Sequence, residues 1–253
     1  MAMDLLREGA KDLGLTLGAR HMVLFERYYQ ELKTWNRRFN LTAITGYEEV
    51  QIKHFLDSLS CFLAFPSEAL GPLPNRIPLQ FDRRSLWCLD VGSGAGFPGL
   101  PVKILAPDIR MTLVDSTRKK VGFLRHMIDI LELENVDAIH ARAEELGQMA
   151  QHREKYDVVM ARAVAHLPIL CEYCLPLCRV GGRMIALKGQ EAHKEAEESQ
   201  KALDILGGAL MEVKPVTLPI LGPGHHLIAI DKVASTPDRY PRRPGVPAKR
   251  PLA

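Results

Sequence analysis

The most constraining feature of this sequence is a glycine-rich segment that directly follows a short, mostly apolar run. Residues 86–91 are suited to a buried strand, and the chain continues Gly92-Ser-Gly-Ala-Gly-Phe-Pro-Gly. Glycine adopts positive φ angles and lets a ligand approach the backbone closely. In open α/β sheets, ligands bind beside such turns at the carboxyl ends of the strands. Gly92, Gly94 and Gly96 are therefore predicted to bind a ligand.

After residue 86, short apolar segments alternate with amphipathic ones. This alternation predicts an α/β fold, a Rossmann-like, doubly wound and mostly parallel sheet of seven strands with right-handed crossovers. The last two strands are expected to form a pair that adds one antiparallel edge strand. The predicted strands are 86–91, 111–114, 136–140, 156–160, 183–187, 211–218 and 226–233, and the main helices are 119–131, 167–178 and 190–206.

The segments before and after this central region differ from it in hydrophobic periodicity and in proline content. Residues 1–65 carry helical periodicity and predict an N-terminal helical cap. Residues 66–85 are rich in proline, which breaks helices, and predict a linker. The main domain is expected over 86–234, and a basic, proline-rich tail over 235–253.

Composition narrows the class of protein. The five cysteines form an odd, unevenly spaced set, which argues against a disulfide framework and for a reducing compartment. We find neither an apolar stretch of about 18 residues, as a membrane span needs, nor a secretory signal at the N-terminus. We therefore expect a soluble, cytoplasmic protein with no membrane partner. The net charge of +3 is too small to indicate nucleic-acid binding by itself.

Two cofactor classes compete for the glycine turn. Dinucleotide sites carry G-x-G-x-x-G and place a pyrophosphate on the following helix, whereas this chain reads G-x-G-x-G after an acid, Asp90. That carboxylate opposes a pyrophosphate and suits a cationic ligand with an amino group and a sulfonium, such as S-adenosylmethionine. Asp115 ends the second strand and is placed to accept ribose hydroxyls, or to cap the next helix. Ala143 and Glu144 follow the third strand, beside the expected adenine position, although acids there also suit a helix N-terminus.

Two cations follow later strands. Arg162 follows the fourth strand and is expected to reach the active edge of the sheet, where its guanidinium could bond a carbonyl oxygen or a phosphate of a ligand. Lys188 ends the fifth strand and could reach the same cleft. Each could instead be an ordinary charge at the surface, Arg162 in an ion pair and Lys188 solvated before a turn.

Possible metal ligands have simpler interpretations. Cys171, Cys174 and Cys178 follow helical spacing within an apolar segment, so we predict buried thiols. His225 and His226 are adjacent and would point to opposite faces of a strand. We predict no metal site.

An ordered set of phrases resembles the bacterial 16S rRNA guanine-N7 methyltransferase family, also called glucose-inhibited division protein B. Each phrase alone is weakly diagnostic, but the ordered set over residues 35–250 is specific. The phrases are Asn40-Leu-Thr-Ala-Ile, His54-Phe-Leu-Asp-Ser-Leu, Asp90-Val-Gly-Ser-Gly-Ala-Gly-Phe-Pro-Gly-Leu-Pro, Leu113-Val-Asp-Ser, Lys119-Lys-Val-x-Phe-Leu, Ala141-Arg-Ala-Glu, Ala161-Arg-Ala-Val-Ala, Ala186-Leu-Lys-Gly and Tyr240-Pro-Arg-Arg-Pro-Gly.

The resemblance implies a class I methyltransferase fold, S-adenosylmethionine as the cofactor and a guanine N7 in the decoding region of 16S rRNA as the target. It carries family cofactor contacts onto Gly92, Phe97, Ala143, Glu144 and Arg162. Guanine N7 has a free lone pair and no proton, so direct in-line transfer needs positioning and electrostatics but no general base or covalent intermediate. The expected partner is 16S rRNA or the small ribosomal subunit, and the enzyme is expected to be a monomer.

The tail carries five cations and, between 239 and 250, no acid. Proline is expected to keep it extended, and extended cationic segments suit phosphate backbones. The expected RNA-binding residues are Arg239, Arg242, Arg243, Lys249 and Arg250. A solubilising terminus, or packing of the tail against the cofactor cleft, would also fit.

Two other function classes remain open on sequence alone. One is a non-catalytic RNA-binding or ribosome-assembly protein with a degenerate nucleotide fold, against which the intact glycine turn, Asp115 and Arg162 argue. The other is a nicotinamide-dependent oxidoreductase, which Asp90 and the turn spacing oppose.

Overall fold

A central seven-stranded sheet organises the molecule. The computed structural model describes residues 3–66, 86–218 and 220–253, so the predicted linker lies, apart from Pro66, outside the described residues. The strands are β1 Trp87–Val91, β2 Arg110–Asp115, β3 Val136–His140, β4 Tyr156–Arg162, β5 Cys178–Lys188, β6 Gly208–Pro215 and β7 His226–Lys232. Their order is β3-β2-β1-β4-β5-β7-β6.

The first five strands are parallel, as predicted, and the final pair departs from expectation. The antiparallel strand is β7, which inserts between β5 and β6 and pairs antiparallel with both. The edge strand is therefore β6. The hairpin returns β7 to the sheet, where its apolar centre Leu227–Ile230 is buried, whereas the residues of β6 are exposed or half-buried. The expected antiparallel edge strand is thus corrected to an internal one.

Helices cover both faces of the sheet. Helix α3 is composite: it runs from Tyr47–Val50 through a π-helical turn, Gln51–Leu56, to Asp57–Leu59, and it ends in a 3₁₀ turn, Ser60–Leu63. The other helices are α1 Asp4–Asp12, α2 Ala19–Phe39, α4 Gly99–Leu105, α5 Arg118–Ile130, α6 Ala143–Leu146, α7 Leu167–Cys174, α8 Ala192–Glu198, α9 Gln200–Leu206 and α10 Val246–Lys249.

The cap made by α1, α2 and α3 shares a core with one face of the sheet. Strand side chains alternate between faces, so Cys88 packs on the cap side while Leu89 and Val91 pack on the opposite side. On the cap side, Phe25 and Phe55 pack in the same cluster as Leu113 of β2. The cap is therefore continuous with the main domain, because neither could bury its apolar face without the other.

The C-terminal segment is not an extended tail. It runs along the face opposite the cap, where Tyr240 and Leu252 are buried with α7, and it contains α10. The Arg153 guanidinium donates to the backbone carbonyls of Thr236 and Tyr240, at 2.7 Å each. Proline prevents a long helix here but permits this series of turns, so the expectation of an extended segment is corrected.

The cysteines are free thiols, and all five are buried. Cys171 and Cys174 lie on α7, whereas Cys178 begins β5 rather than continuing the helix. Over residues 3–66, 86–218 and 220–253, none of the helices combines the length and the hydropathy of a membrane span.

Candidate functional site

A cleft of about 210 Å³ opens at the carboxyl ends of β1, β2 and β3. Parallel strands bring residues that are distant in sequence to the same edge, so Gly92, Asp115, Ala143 and Glu144 meet in its wall. These four predicted cofactor-binding residues are therefore brought together. The other lining residues are Val91, Val114, Ser116, Ala141, Arg142, Val164 and Tyr173.

The glycine turn and Asp115 are held to each other. The Gly94 N–H donates to Asp115 Oδ2 at 3.0 Å, and the Thr117 N–H donates to Asp115 Oδ1 at 2.8 Å. The Lys120 ammonium lies 3.8 Å from Oδ2. Asp115 thus stabilises the turn and the start of α5, and each carboxylate oxygen keeps a second lone pair for another donor.

The third wall of the cleft is the first turn of α6. Backbone N–H groups at a helix start have no acceptor within the helix, so those of Ala143 and Glu144 are available to a ligand. The Glu144 side chain is buried and turned away, because its Oε1 accepts the Gly245 N–H of the C-terminal segment at 2.9 Å. Any ligand contact of Glu144 therefore belongs to its backbone.

Asp90 lies beneath the turn and is not among the residues that line the cleft. It has no exposed surface, its Oδ2 accepts the Gly99 N–H at 2.9 Å, and its Oδ1 has no hydrogen-bond partner among the residues that the structure describes. Burial raises the pKa of Asp90 to about 7. Asp90 Oδ2 therefore takes up the N–H of Gly99 at the start of α4, where backbone N–H groups meet the pyrophosphate in dinucleotide sites. Asp90 would therefore affect a bound cofactor only through the turn that it supports.

Gly96 and Phe97, the other two residues of the turn that were predicted to bind the cofactor, face the cap. A Cβ on Gly96 would overlap the Tyr28 hydroxyl and the Leu100 side chain, and the Tyr28 hydroxyl donates to the Ala95 carbonyl at 2.5 Å. The Phe97 ring stacks on Tyr28, with centroids 5.4 Å apart, and on His54 at 4.4 Å. Gly96 and Phe97 therefore fix the turn against the cap.

Arg162 extends from β4 into the same interface. Its Nη1 donates to Asp57 Oδ2 at 2.9 Å and to the Lys53 carbonyl at 3.0 Å, and its Cζ lies 4.9 Å from the centroid of the Phe97 ring. The side chain is only 14% exposed. Arg162 thus lies at the carboxyl end of β4, but it is not among the residues that line the cleft, and its main partners belong to the cap.

His54 completes this network as a neutral ring. Its Nδ1 lies 3.1 Å from Arg162 Nη2 and 3.2 Å from the Lys53 carbonyl oxygen, and its Nε2 lies 2.8 Å from Thr42 Oγ1. Burial and the Arg162 charge lower the pKa of His54 to about 4, in agreement with a neutral ring. Asp57 Oδ1 also lies 3.2 Å from Nδ1 of His225, so α3, β4 and the β6–β7 hairpin are joined here.

Lys188 does not extend freely into the cleft. Its ammonium donates to Glu195 Oε2 and to the Ala165 carbonyl, both at 2.6 Å, and its side chain is 9% exposed. Glu195 also accepts the Leu167 N–H at 2.7 Å. These contacts anchor the loop between β4 and α7, and the expected role of Lys188 in the cleft stays a prediction.

The C-terminal cations fall into two groups. Arg242 bonds both carboxylate oxygens of the fully buried Glu172, so its guanidinium already has an anionic partner within the chain, and its expected role in binding phosphate stays a prediction. The side chains of Arg239, Arg243, Lys249 and Arg250 are exposed, as a phosphate-binding surface requires.

Several site residues were not foreseen from sequence. Val164 is 37% exposed and stands over Gly92, where an added Cβ would lie 2.6 Å from its Cγ2. The phrase Ala161-Arg-Ala-Val-Ala contained it, but only the arginine carried a chemical signal. Tyr173 lies in the apolar helix α7, which offered no sign that one of its faces borders a cleft.

The strand order, with a glycine turn after β1, defines the Rossmann-like fold of class I methyltransferases, as predicted. The sequence profile of the family GidB, rRNA small subunit methyltransferase G, matches residues 21–220. The chain is 49% identical over 250 residues to ribosomal RNA small subunit methyltransferase G of Roseiflexus sp. (strain RS-1), covering 99% of this chain and 100% of that protein. It is 48% identical over 249 residues to the protein of the same name from Pelotomaculum thermopropionicum, covering 98% of each chain. The chain belongs to the rRNA small subunit methyltransferase G family of methyltransferases, and the predicted resemblance is confirmed.

Proposed function

We propose that this chain transfers a methyl group from S-adenosylmethionine to N7 of a guanine in 16S rRNA, in the decoding region of the small subunit. The observation that carries the proposal is the cleft lined by Gly92, Asp115 and Ala143 in a chain of this family. The proposed partner is 16S rRNA or the small ribosomal subunit, and the proposed location is the cytoplasm.

The residues of the cleft suit S-adenosylmethionine. Gly92 gives a wall without a side chain, and Asp115 keeps lone pairs that can accept ribose hydroxyls. Val91 and Val114 offer apolar surface to an adenine ring, beside the backbone N–H groups of Ala143 and Glu144. A nicotinamide dinucleotide fits less well, because the Gly99 N–H that would meet a pyrophosphate is already given to Asp90.

When bound, the cofactor supplies an electrophilic methyl group on a sulfonium. Guanine N7 carries a free lone pair, so the residues of the chain need to position the base and the donor rather than remove a proton. Arg162 holds the end of β4 against the cap, Lys188 fixes the following loop at Ala165, and Val164 closes the cleft over Gly92. We propose that these contacts orient the base for direct in-line transfer.

The cysteines support a route without a covalent enzyme intermediate. All five thiols are buried, and burial raises the pKa of Cys171 to about 12. A thiol must ionise to act as a nucleophile, so these groups are poorly suited to attack a base.

The exposed C-terminal cations support a role in RNA binding. We propose that Arg239, Arg243, Lys249 and Arg250 contact phosphates, together with Arg142, which is exposed on the cleft wall. Arginine suits such contacts because its planar fork can bond two phosphate oxygens.

The test combines binding with transfer. S-adenosylhomocysteine is expected to bind with a Kd of about micromolar order, near −8 kcal/mol, while NAD shows no measurable binding by calorimetry. Labelled methyl from S-adenosylmethionine is expected to enter unmethylated 16S rRNA, supplied free or in 30S subunits. Binding of NAD alone would favour an oxidoreductase. RNA binding without cofactor binding or transfer would favour a non-catalytic assembly protein.

A further inference from the structure

The C-terminal segment lies against the two helices that border one side of the cleft. α6 contributes Ala143 and Glu144 to the cleft wall, and α7 contributes Tyr173. Residues 236–252 cross the outer side of both helices, where Tyr240 and Leu252 are buried. The position of this wall therefore depends on a segment that lies about 100 residues later in the chain than α6.

The first attachment is to α6 and the turn that follows it. The Gly245 N–H donates to Glu144 Oε1 at 2.9 Å, and Gln148 Nε2 donates to the Pro241 carbonyl at 2.8 Å. Pro241 also packs on Gly147, where an added Cβ would lie 2.7 Å from its Cγ. Glu144 is thus a direct link, because its side chain holds the segment while its backbone belongs to the cleft.

The second attachment is to α7 and is charged. Arg242 meets Glu172 through its backbone N–H, its Nε and its Nη2, at 2.6–3.1 Å, and Nη2 also donates to the Arg250 carbonyl at 2.7 Å. Glu172 has no exposed surface. A carboxylate without access to water is stable as an anion only beside its cation. Since Glu172 precedes Tyr173 on α7, this pair fixes the helix beside the cleft.

We propose that residues 236–252 form a strap that holds the α6–α7 wall in the shape that binds the cofactor, with Arg242 as its positioning residue. The proposal rests on the proposed function, in which this cleft binds S-adenosylmethionine. Arg242 does not line the cleft, so its effect on the cofactor passes through Glu172 and α7. The C-terminal segment thus supports cofactor binding and also carries the exposed cations that are proposed to contact RNA.

The adjacent arginine provides a matched control. Arg243 has the same charge and lies one position further along, but its side chain is exposed. The experiment measures the Kd of S-adenosylhomocysteine by calorimetry for the wild type, Arg242→Ala and Arg243→Ala, well below the unfolding temperature of each. Arg242→Ala is expected to raise the Kd by about tenfold or more, within the usual range of coupling between separate sites, and Arg243→Ala by less than about twofold.

A truncation after Arg243 tests the strap separately. It keeps the Arg242–Glu172 pair but removes Gly245 and α10, and it is also expected to raise the Kd. If Arg242→Ala does not fold, the truncated chain decides the result. A folded variant with a lower melting temperature but an unchanged Kd would overturn the strap, because it would show that these contacts support the fold and not the cleft. Failure of the wild type to bind S-adenosylhomocysteine would instead overturn the proposed function, on which the strap depends.

Discussion

At the scale of single residues, Arg162 shows how a cation at the carboxyl end of a strand can stabilise the docking of the cap. Its partners Lys53 and Asp57 precede it by more than a hundred residues and lie in the cap. The position of Arg162 at the end of a strand could be predicted from sequence, because strand ends follow the hydrophobic pattern. Its partners could not be predicted, because they depend on where the cap docks.

Arg162→Ala is expected to lower the free energy of unfolding by about 3 kcal/mol, since removing one partner leaves the other charge of a mostly buried pair without compensation. Urea unfolding measures this loss. The control is Arg179→Ala, which removes a more exposed pair with Asp157 and is expected to cost about 1 kcal/mol or less. Equal losses in the two variants would contradict the role assigned to Arg162.

His54 gives the interface a defined pH dependence. Its pKa is lowered from 6.5 to about 4 in the folded protein, so the unfolded chain binds the extra proton first as the pH falls. The stability that neutral His54 contributes is therefore complete above about pH 6.5 and is lost as the pH falls towards 4. Urea unfolding of wild type and His54→Asn is expected to show a stability difference that shrinks from pH 7.5 to pH 4.5. A difference that stays constant with pH would show that His54 does not titrate as described.

At the scale of elements, the glycine turn is the joint between cap and sheet. Tyr28 of α2 bonds the turn at Ala95, and Phe97 lies between Tyr28 and His54. The sequence assigned all three alternate glycines to the ligand. The structure divides them, because Gly92 lines the cleft while Gly96 is packed against the cap.

Gly96→Ala and Gly94→Ala are expected to differ in stability, because of the two glycines only Gly96 is packed against the cap. At Gly96 the new Cβ overlaps Tyr28 and Leu100, so the variant is expected to lose about 2–3 kcal/mol of stability through overpacking. At Gly94, where φ is +58° and the nearest atom is a carbonyl oxygen 3.8 Å away, only the backbone strain of about 1 kcal/mol is expected. Chemical unfolding of both variants checks the order. A larger loss for Gly94→Ala would contradict the packing of the turn.

The elements were more predictable than their junctions. The parallel strands and the glycine turn follow from hydrophobic periodicity, which local sequence carries. The predicted helix 190–206 is divided near Ser199, and Cys178 leaves the helical spacing to begin β5. The course of the C-terminal segment depended on burial of Tyr240 and Leu252 against α7, which no local pattern of prolines and arginines reveals.

At the scale of the whole molecule, the charges are distributed unevenly enough to predict an RNA-binding face despite the net charge of +3. The C-terminal segment that carries the exposed cations packs on α6, which borders the cleft, whereas Arg110 begins β2 and Arg20 lines a different pocket, at the amino ends of the strands. The first group is therefore expected to contact phosphates and the second is not.

The double variant Arg239→Ala/Arg243→Ala is expected to weaken RNA binding and to flatten its salt dependence. Removing one cation that binds a phosphate reduces the slope of log affinity against log salt by roughly 0.7–0.9, so removing two changes the slope by about 1.5. RNA affinity measured at several salt concentrations gives the slope. Arg20→Ala/Arg110→Ala removes the same charge and is expected to leave the slope nearly unchanged. Equal changes in both variants would show a general effect of net charge rather than a defined surface.

The most direct test of the proposed function is the chemical position of the methyl group. Unmethylated 16S rRNA, free or in 30S subunits, is incubated with the protein and S-adenosylmethionine, and the modified nucleotide is located and characterised by mass spectrometry. One added methyl group is expected on N7 of a single guanine in the decoding region, since N7 accepts a methyl group without a general base. A methyl group on an exocyclic amine, on a pyrimidine carbon or on a ribose would contradict it, because each of those reactions needs a proton acceptor or a nucleophile that the proposed mechanism does not use.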